Sequence, residues 1–323
     1  MNLANYLINH RSYSFIPPLE DAFVLQQQKN YLFDLSHLGM LRIVGERAQE
    51  FLQGQLTCDL RKVTPDTMRQ GAQCNLKGRV LSLPDVIHWQ HFQLVLPKDM
   101  LLDTQNSLLK TAMLSKVTIE SDETNLIYGF YLANPYDLLP GNVSLPSNPL
   151  SAIGTDAFYS YCVHDNFYLF IVNSEHAPRF IEPFVRANQY AGSLPWHYFM
   201  LKQKQVQIYP DTRGLFLPHR LDLHLSGYLN FDKGCYKGQE IIARTHYRAK
   251  LKHALQLFII ESTASLLAGK RLLDSSKQVE VGELVDFCPL GNNNFLIAAS
   301  ILREHPQQIY FEDQQQMIIL KNL

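Results

Sequence analysis

The nine residues Asp232-Lys233-Gly234-Cys235-Tyr236-Lys237-Gly238-Gln239-Glu240 set one thiol between two lysines and two glycines. A free cysteine titrates near about 8.5, and a neighbouring cation or a helix N-terminus favours the nucleophilic thiolate. Lys233 and Lys237 are candidate cations for Cys235. The glycines open backbone conformations closed to other residues, so N–H groups can approach a bound anion or the sulfur itself. Ile241-Ile242-Ala243 continues as an apolar run, as a helix opening after Gly238 would. An ordinary solvated turn carrying a half-buried cysteine explains the same spacing.

The five cysteines (Cys58, Cys74, Cys162, Cys235, Cys288) are scattered and never spaced C-x-x-C. That argues against a disulfide framework and against a sequence-local zinc or cluster site, so no residue is assigned as a metal ligand. With 46% hydrophobic and 18% charged residues, the 323-residue chain has the composition of a globular protein of two or three domains. No apolar run is long enough to span a membrane, and the first residues lack a basic stretch followed by a long apolar one. A soluble, cytoplasmic protein without a membrane partner is expected. The net charge of −1 gives no global case for nucleic acid. Locally the case differs: residues 233–253 hold six Lys or Arg against Glu240 alone, and counting Asp232 leaves an excess of four (six minus two).

The elements that must position this stretch read as follows. Ala22–Leu25, Tyr31–Phe33 and Leu41–Val44 are strand-like, and Ala48, Phe51, Leu52 and Gln55 recur at helical spacing. Gly71–Cys74 and Val80–Ile87 flank the turn Asn75-Leu76-Lys77-Gly78-Arg79 as a hairpin. Met100–Met113 reads as a helix, Leu126–Leu132 and Phe167–Val172 as strands, and a helix begins near Pro178 with Pro183 as its breaker. From Ala254 onward, short apolar runs separated by Gly, Asn, Asp or Pro suggest a small antiparallel barrel or sandwich. A domain boundary therefore falls near residue 250.

Lys233 to Glu240 resembles the K-G-C-[FY]-x-G-Q-E signature of the YgfZ family of folate-binding proteins, within the superfamily of the glycine-cleavage aminomethyltransferase (GcvT). Four further blocks agree in order: Phe51–Asp59, Asn75–Arg79, Leu114–Ile119 and Gly214–Pro218. Asp34 to Gly39 also resembles the D-x-S-H-x-G block of the aminomethyltransferase. The resemblance implies an α+β fold: a three-domain ring of mixed sheet-and-helix domains with a C-terminal antiparallel β-barrel. Its body would be 1–250, as two interleaved subdomains (31–114 plus 196–250, and 1–30 plus 115–195), and its barrel 251–323. It also implies tetrahydrofolate or a folate derivative as ligand, and a role in making or repairing iron-sulfur proteins, including enzymes that modify tRNA.

On that reading Cys235 is the reactive thiol and Lys233 its stabilising cation. Tyr236, Gly238, Gln239, Glu240, Arg244 and Arg248 are the expected folate-binding set: Tyr236 stacks, Gln239 and Glu240 brace the loop, and the two arginines receive the glutamate tail. Two departures bear on it. The resemblance places the transferase's aspartate at Leu83, which cannot accept a proton, and Asp85 sits about 7 Å further along a strand. The acidic residue expected before Gly214 is missing from the run Leu201-Lys202-Gln203-Lys204-Gln205, where lysines stand in its place and Gln203 or Gln205 can hydrogen-bond the same pterin edge less strongly than a charge. A one-carbon transferase and a tRNA-binding module using the 233–253 segment remain the alternatives, and a cysteine hydrolase has no local histidine signature.

Overall fold

The computed structural model describes residues 3–323. In chain order its elements are β1 (Ala4–Ile8), β2 (Arg11–Phe15), β3 (Tyr31–Asp34), β4 (Leu38–Val44), α1 (Ala48–Gln55), β5 (Arg69–Gln70), β6 (Gln73–Cys74), β7 (Val80–Ser82), β8 (Asp85–Trp89) and β9 (His91–Pro97). Then come α2 (Lys98–Ala112), β10 (Thr118–Asp122), β11 (Asn125–Tyr131), β12 (Ala152–Gly154), β13 (Phe158–His164), β14 (Phe167–Asn173), α3 (Ala177–Arg186), β15 (Tyr190–Ala191), α4 (Ser193–Lys202) and α5 (Gln239–Arg248). The tail adds β16 (His253–Glu261), β17 (Arg271–Leu273), β18 (Glu280–Gly291), β19 (Asn294–Leu302), β20 (Gln308–Phe311), β21 (Met317–Ile319) and β22 (Lys321–Asn322).

Three sheets carry the fold. The first is antiparallel, in the order β10-β4-β9-β8-β5. The second runs β12-β13-β14-β11-β3-β15, with only β15 parallel to its neighbour. β3 thus belongs with the strands of 125–191, and β10 with those of 38–97. The sheets therefore exchange one strand each across the divisions expected at 31 and 115, because β3 and β11 find their apolar partners on each other (Gly129 opposite Phe33, Phe130 opposite Leu32). Ala22–Leu25 is not a strand: it is turn and loop, with Val24 exposed. Pro183 does not break α3, which runs through it.

The third sheet is the C-terminal one, in the order β21-β20-β17-β18-β19-β16-β22. Its two edge strands are separated by Leu320 alone: β21 pairs with β20 and β22 with β16. The last strand therefore curls the sheet back on itself, and the C-terminal antiparallel barrel expected is present as a curled half-barrel sheet.

α4 joins the three parts. Seven of its residues are buried, so it is a core helix with no solvated face of any width. At its start, Ser14 N–H donates to Ser193 Oγ (2.9 Å) and Ser193 N–H to Ser14 Oγ (3.1 Å), fastening β2 to the helix. Trp196 packs between Phe33 and Phe167 and so close to Gly129 that a Cβ there would lie 2.4 Å from the indole. On the C-terminal side, the His197 ring nitrogen Nε2 lies 3.1 Å from the Phe287 carbonyl of β18.

Candidate functional site

Cys235 is the one exposed cysteine of the five, and the other four are buried free thiols. Burial pushes Cys58 and Cys74 up to about 12 and Cys162 to about 11, and raises Cys288 well above the ordinary thiol range. Those four are therefore inert at neutral pH, and Cys235 is the only thiol within reach of a partner.

The loop that carries it is fixed from below by α1. A helix leaves its last carbonyls without intrahelical partners, and a cation at the C-terminus is the favourable cap. Lys233, 6% exposed, supplies it: Nζ donates to the carbonyls of Gln53 (2.7 Å), Leu56 (2.6 Å) and Cys58 (2.7 Å). The backbone N–H of Lys237 takes the Gly54 carbonyl at 3.0 Å. All three Nζ donors of Lys233 are thereby occupied, which leaves none for the Cys235 sulfur; the lysine pins the loop where a thiolate partner was expected. Burial lowers its ammonium to about 8, with the Asp59 carboxylate opposing the shift.

From the side, the loop abuts the β6–β7 hairpin. Gly238 has φ +84° and caps α5, and a Cβ there would stand 2.5 Å from the Asn75 carbonyl oxygen and 3.0 Å from Gly78 Cα. Only glycine fits both the dihedral and the space. The hairpin is braced in turn by residues 214–216: Val80 N–H donates to Phe216 O (2.9 Å) and Gly214 N–H to Val80 O (2.7 Å), while the Arg79 guanidinium donates to Leu215 O. Blocks 51–59 and 75–79 thus pack directly on the 233–240 loop that carries this thiol, and 214–218 braces it through the hairpin. The block 114–119 does not; it leads into β10 at the edge of the first sheet.

The other expected site residues fall into two groups. Tyr236 is buried under Lys233, whose ammonium lies 5.1 Å from its ring centre, and so faces the core instead of a stacking ligand. Gln239 braces the loop, its Oε1 accepting from Tyr236 N–H at 3.3 Å. Glu240 lies exposed in the first turn of α5, where an acid complements the helix N-terminus. Arg244 and Arg248 are exposed, one turn apart on α5.

A cavity of about 70 Å³ lies between the first two sheets and α4, lined among others by Leu83, Asp85, Gln70, Gln205, Tyr228 and Trp196. None of the eight residues expected at 233–248 lines it. Asp85, set aside from its sequence position, faces it beside Leu83, because strand alternation returns both to one side of Pro84. Its carboxylate accepts from Gln70 Nε2 (3.1 Å) and Tyr161 OH (2.9 Å), and burial pushes it up to about 6. Gln205 is there too, accepting from Tyr228 OH at 2.7 Å, whereas Gln203 is not. Asp34, Ser36 and His37 line a separate cavity of about 520 Å³ with Arg11 and Lys98. No helix of the described residues is long and apolar enough to cross a membrane.

Known proteins resemble the chain in sequence and in fold. No family model matches the chain. The tRNA-modifying protein YgfZ of Colwellia psychrerythraea is 28% identical over 238 residues, covering 71% of this chain and 72% of that one. Its counterpart in Vibrio atlanticus is 27% identical over 232 residues, covering 72% and 69%. Among solved structures, the glycine cleavage system aminomethyltransferase T from Bartonella henselae superposes with a TM-score of 0.71 at 13% identity, over 99% of this chain and 93% of that one. At that identity the likeness is one of fold.

Proposed function

The chain belongs to the YgfZ family, and from that premise we propose that it is an accessory protein of tRNA modification that presents the Cys235 thiol to iron-sulfur partners. The observation that carries the reading is the isolation of that thiol: it alone among five is exposed, on a loop fixed by the end of α1 and by the β6–β7 hairpin. On losing its proton, Cys235 offers a sulfur ligand to iron in a partner protein. The rest of the nine-residue stretch holds it in place.

A folate derivative is the proposed ligand of the central cavity, where Asp85, Gln70, Gln205 and Tyr228 offer the polar groups that a pterin edge pairs with. At about 70 Å³ the cavity has room for two or so waters and lies well below the volume of a cofactor site. Binding therefore requires the wall around Leu83 to open, and the affinity for tetrahydrofolate is expected to be weak. Leu83 itself offers no acid or base, so one-carbon transfer through that position is not part of the proposal. A second reading rests on α5: its exposed arginines Arg244 and Arg248 suit the phosphates of a tRNA as well as the carboxylates of a folate tail. Competition between a tRNA and a folate polyglutamate for the chain separates the two.

The test is complementation of a strain lacking its own homologue, read as the level of an iron-sulfur-dependent tRNA modification. Wild type restores the modification, and Cys235→Ala at equal abundance does not. Full restoration by Cys235→Ala would overturn the proposal.

A further inference from the structure

His219 lies in the 3-10 turn Pro218–Leu221, is 2% exposed, and has no hydrogen-bond partner at either Nδ1 or Nε2. A neutral imidazole carries one N–H and one lone pair, and a native fold rarely buries both unpaired unless a water or an ion completes them. The ring of His224 stands 4.8 Å from that of His219, the ring of His246 stands 5.7 Å from it, and the two are 6.2 Å from each other. Nδ1 of His224 and Oδ1 of Asp222 are also buried without partners, and the Asp222 charge acts on His224.

We propose that His219, His224 and His246 bind one divalent transition-metal ion of the zinc class, with Asp222 supplying a carboxylate to the site. Three imidazoles bound tetrahedrally at about 2 Å have ring centres on the order of 5 Å apart, and the observed separations lie around that distance. The side chains have not closed: among the described residues no three metal-binding groups converge on a single point. His246 accounts for this, since its ring lies 3.9 Å over Phe231 in a stacked arrangement. It is exposed on α5, so rotation about its side-chain bonds swings it off Phe231 towards the two rings already inside. Arg303 acts on His224 and donates to the Leu251 carbonyl, and Arg220, next to His219 in the chain, is paired with Glu283. The signal in the sequence was weak, because His219, His224 and His246 have no ligand-type spacing.

The proposal is independent of the tRNA reading, and its test is a Co²⁺ titration of the chelator-treated full chain, followed by visible d–d absorption with Zn²⁺ as competitor. Wild type is expected to take up one equivalent with no sulfur-to-cobalt charge-transfer band, and Cys235→Ser to do the same. His246→Ala should bind on the order of 100-fold more weakly. Because His246 is exposed, that variant should keep the wild-type melting temperature, so the loss cannot be assigned to unfolding. His219→Ala should lose binding likewise. The absence of saturable Co²⁺ uptake by wild type, its persistence in His246→Ala, or its loss in Cys235→Ser would each overturn the proposal.

Discussion

The ammonium nitrogen of Lys233 lies 2.6 Å from the carbonyl oxygen of Leu56, 177 residues earlier in the chain. With its contacts to Gln53 and Cys58, it makes a buried three-way cap on the end of α1. Lys233→Met is expected to leave those carbonyls unpaired and to cost about 3 kcal/mol. Lys233→Arg should not restore the loss, because a planar guanidinium does not reproduce three converging donors. Urea denaturation of the three proteins decides this; equal midpoints would show that the cap contributes nothing.

The thiols should separate cleanly by accessibility. A thiol-specific reagent is expected to modify one cysteine in the native protein and all five after denaturation, with the native site mapping to Cys235. Cys235→Ala should shift stability by less than about 0.5 kcal/mol, as exposed substitutions usually do. Mass spectrometry of the modified peptides checks the first expectation and a thermal melt the second.

Gly238→Ala forces a methyl group against backbone atoms of Asn75 and Gly78, at a dihedral that L-residues avoid. The clash has no flexible side chain to absorb it, so a loss of about 2–4 kcal/mol is expected. Hydrogen exchange should report the damage first in the 233–240 loop and the 75–79 turn. Unchanged protection in both would contradict the packing described.

Asp85 gives a pH test of the cavity. Its folded pKa of about 6 lies above the unfolded 3.8, so between those values the folded chain keeps a proton that the unfolded chain has shed. Its contribution to stability is present below pH ~4 and is lost as pH rises through about 6. Asp85→Asn should therefore stabilise the protein by roughly 1–2 kcal/mol at pH 7 and by nothing at pH 4. A gain that does not vary with pH would mean that the carboxylate is not held in a desolvated setting.

Much of the site was legible in the chain where the information is local. The turn 75–79, the helix after Gly238 and the C-terminal run of strands follow from residue type and period, and the structure has each of them. The role of Lys233 was not legible. Its partners are main-chain carbonyls, which every residue carries, so no side-chain pattern 175–180 residues away could have announced them. Tyr236 was misplaced for a related reason: an aromatic beside a reactive thiol serves a ligand or the core equally well on paper, and here the lysine above it leaves only the core. Asp85 was discounted because strand spacing measures distance along the chain, whereas the cavity is closed by α4 and residues 205–207 arriving from elsewhere.

α4 has a further consequence for how the molecule can be divided. Its start is fastened to β2, Trp196 fills the gap left by Gly129 in the second sheet, and His197 rests on Phe287 of the third. A fragment ending near residue 250 would leave that helix facing water where β18 had covered it, and the 251–323 sheet alone would expose the matching strip around the fully buried Asp286. The three sheets are therefore distinct in topology and joint in stability: neither fragment should fold when made separately, and mixing the two should restore what each lacks.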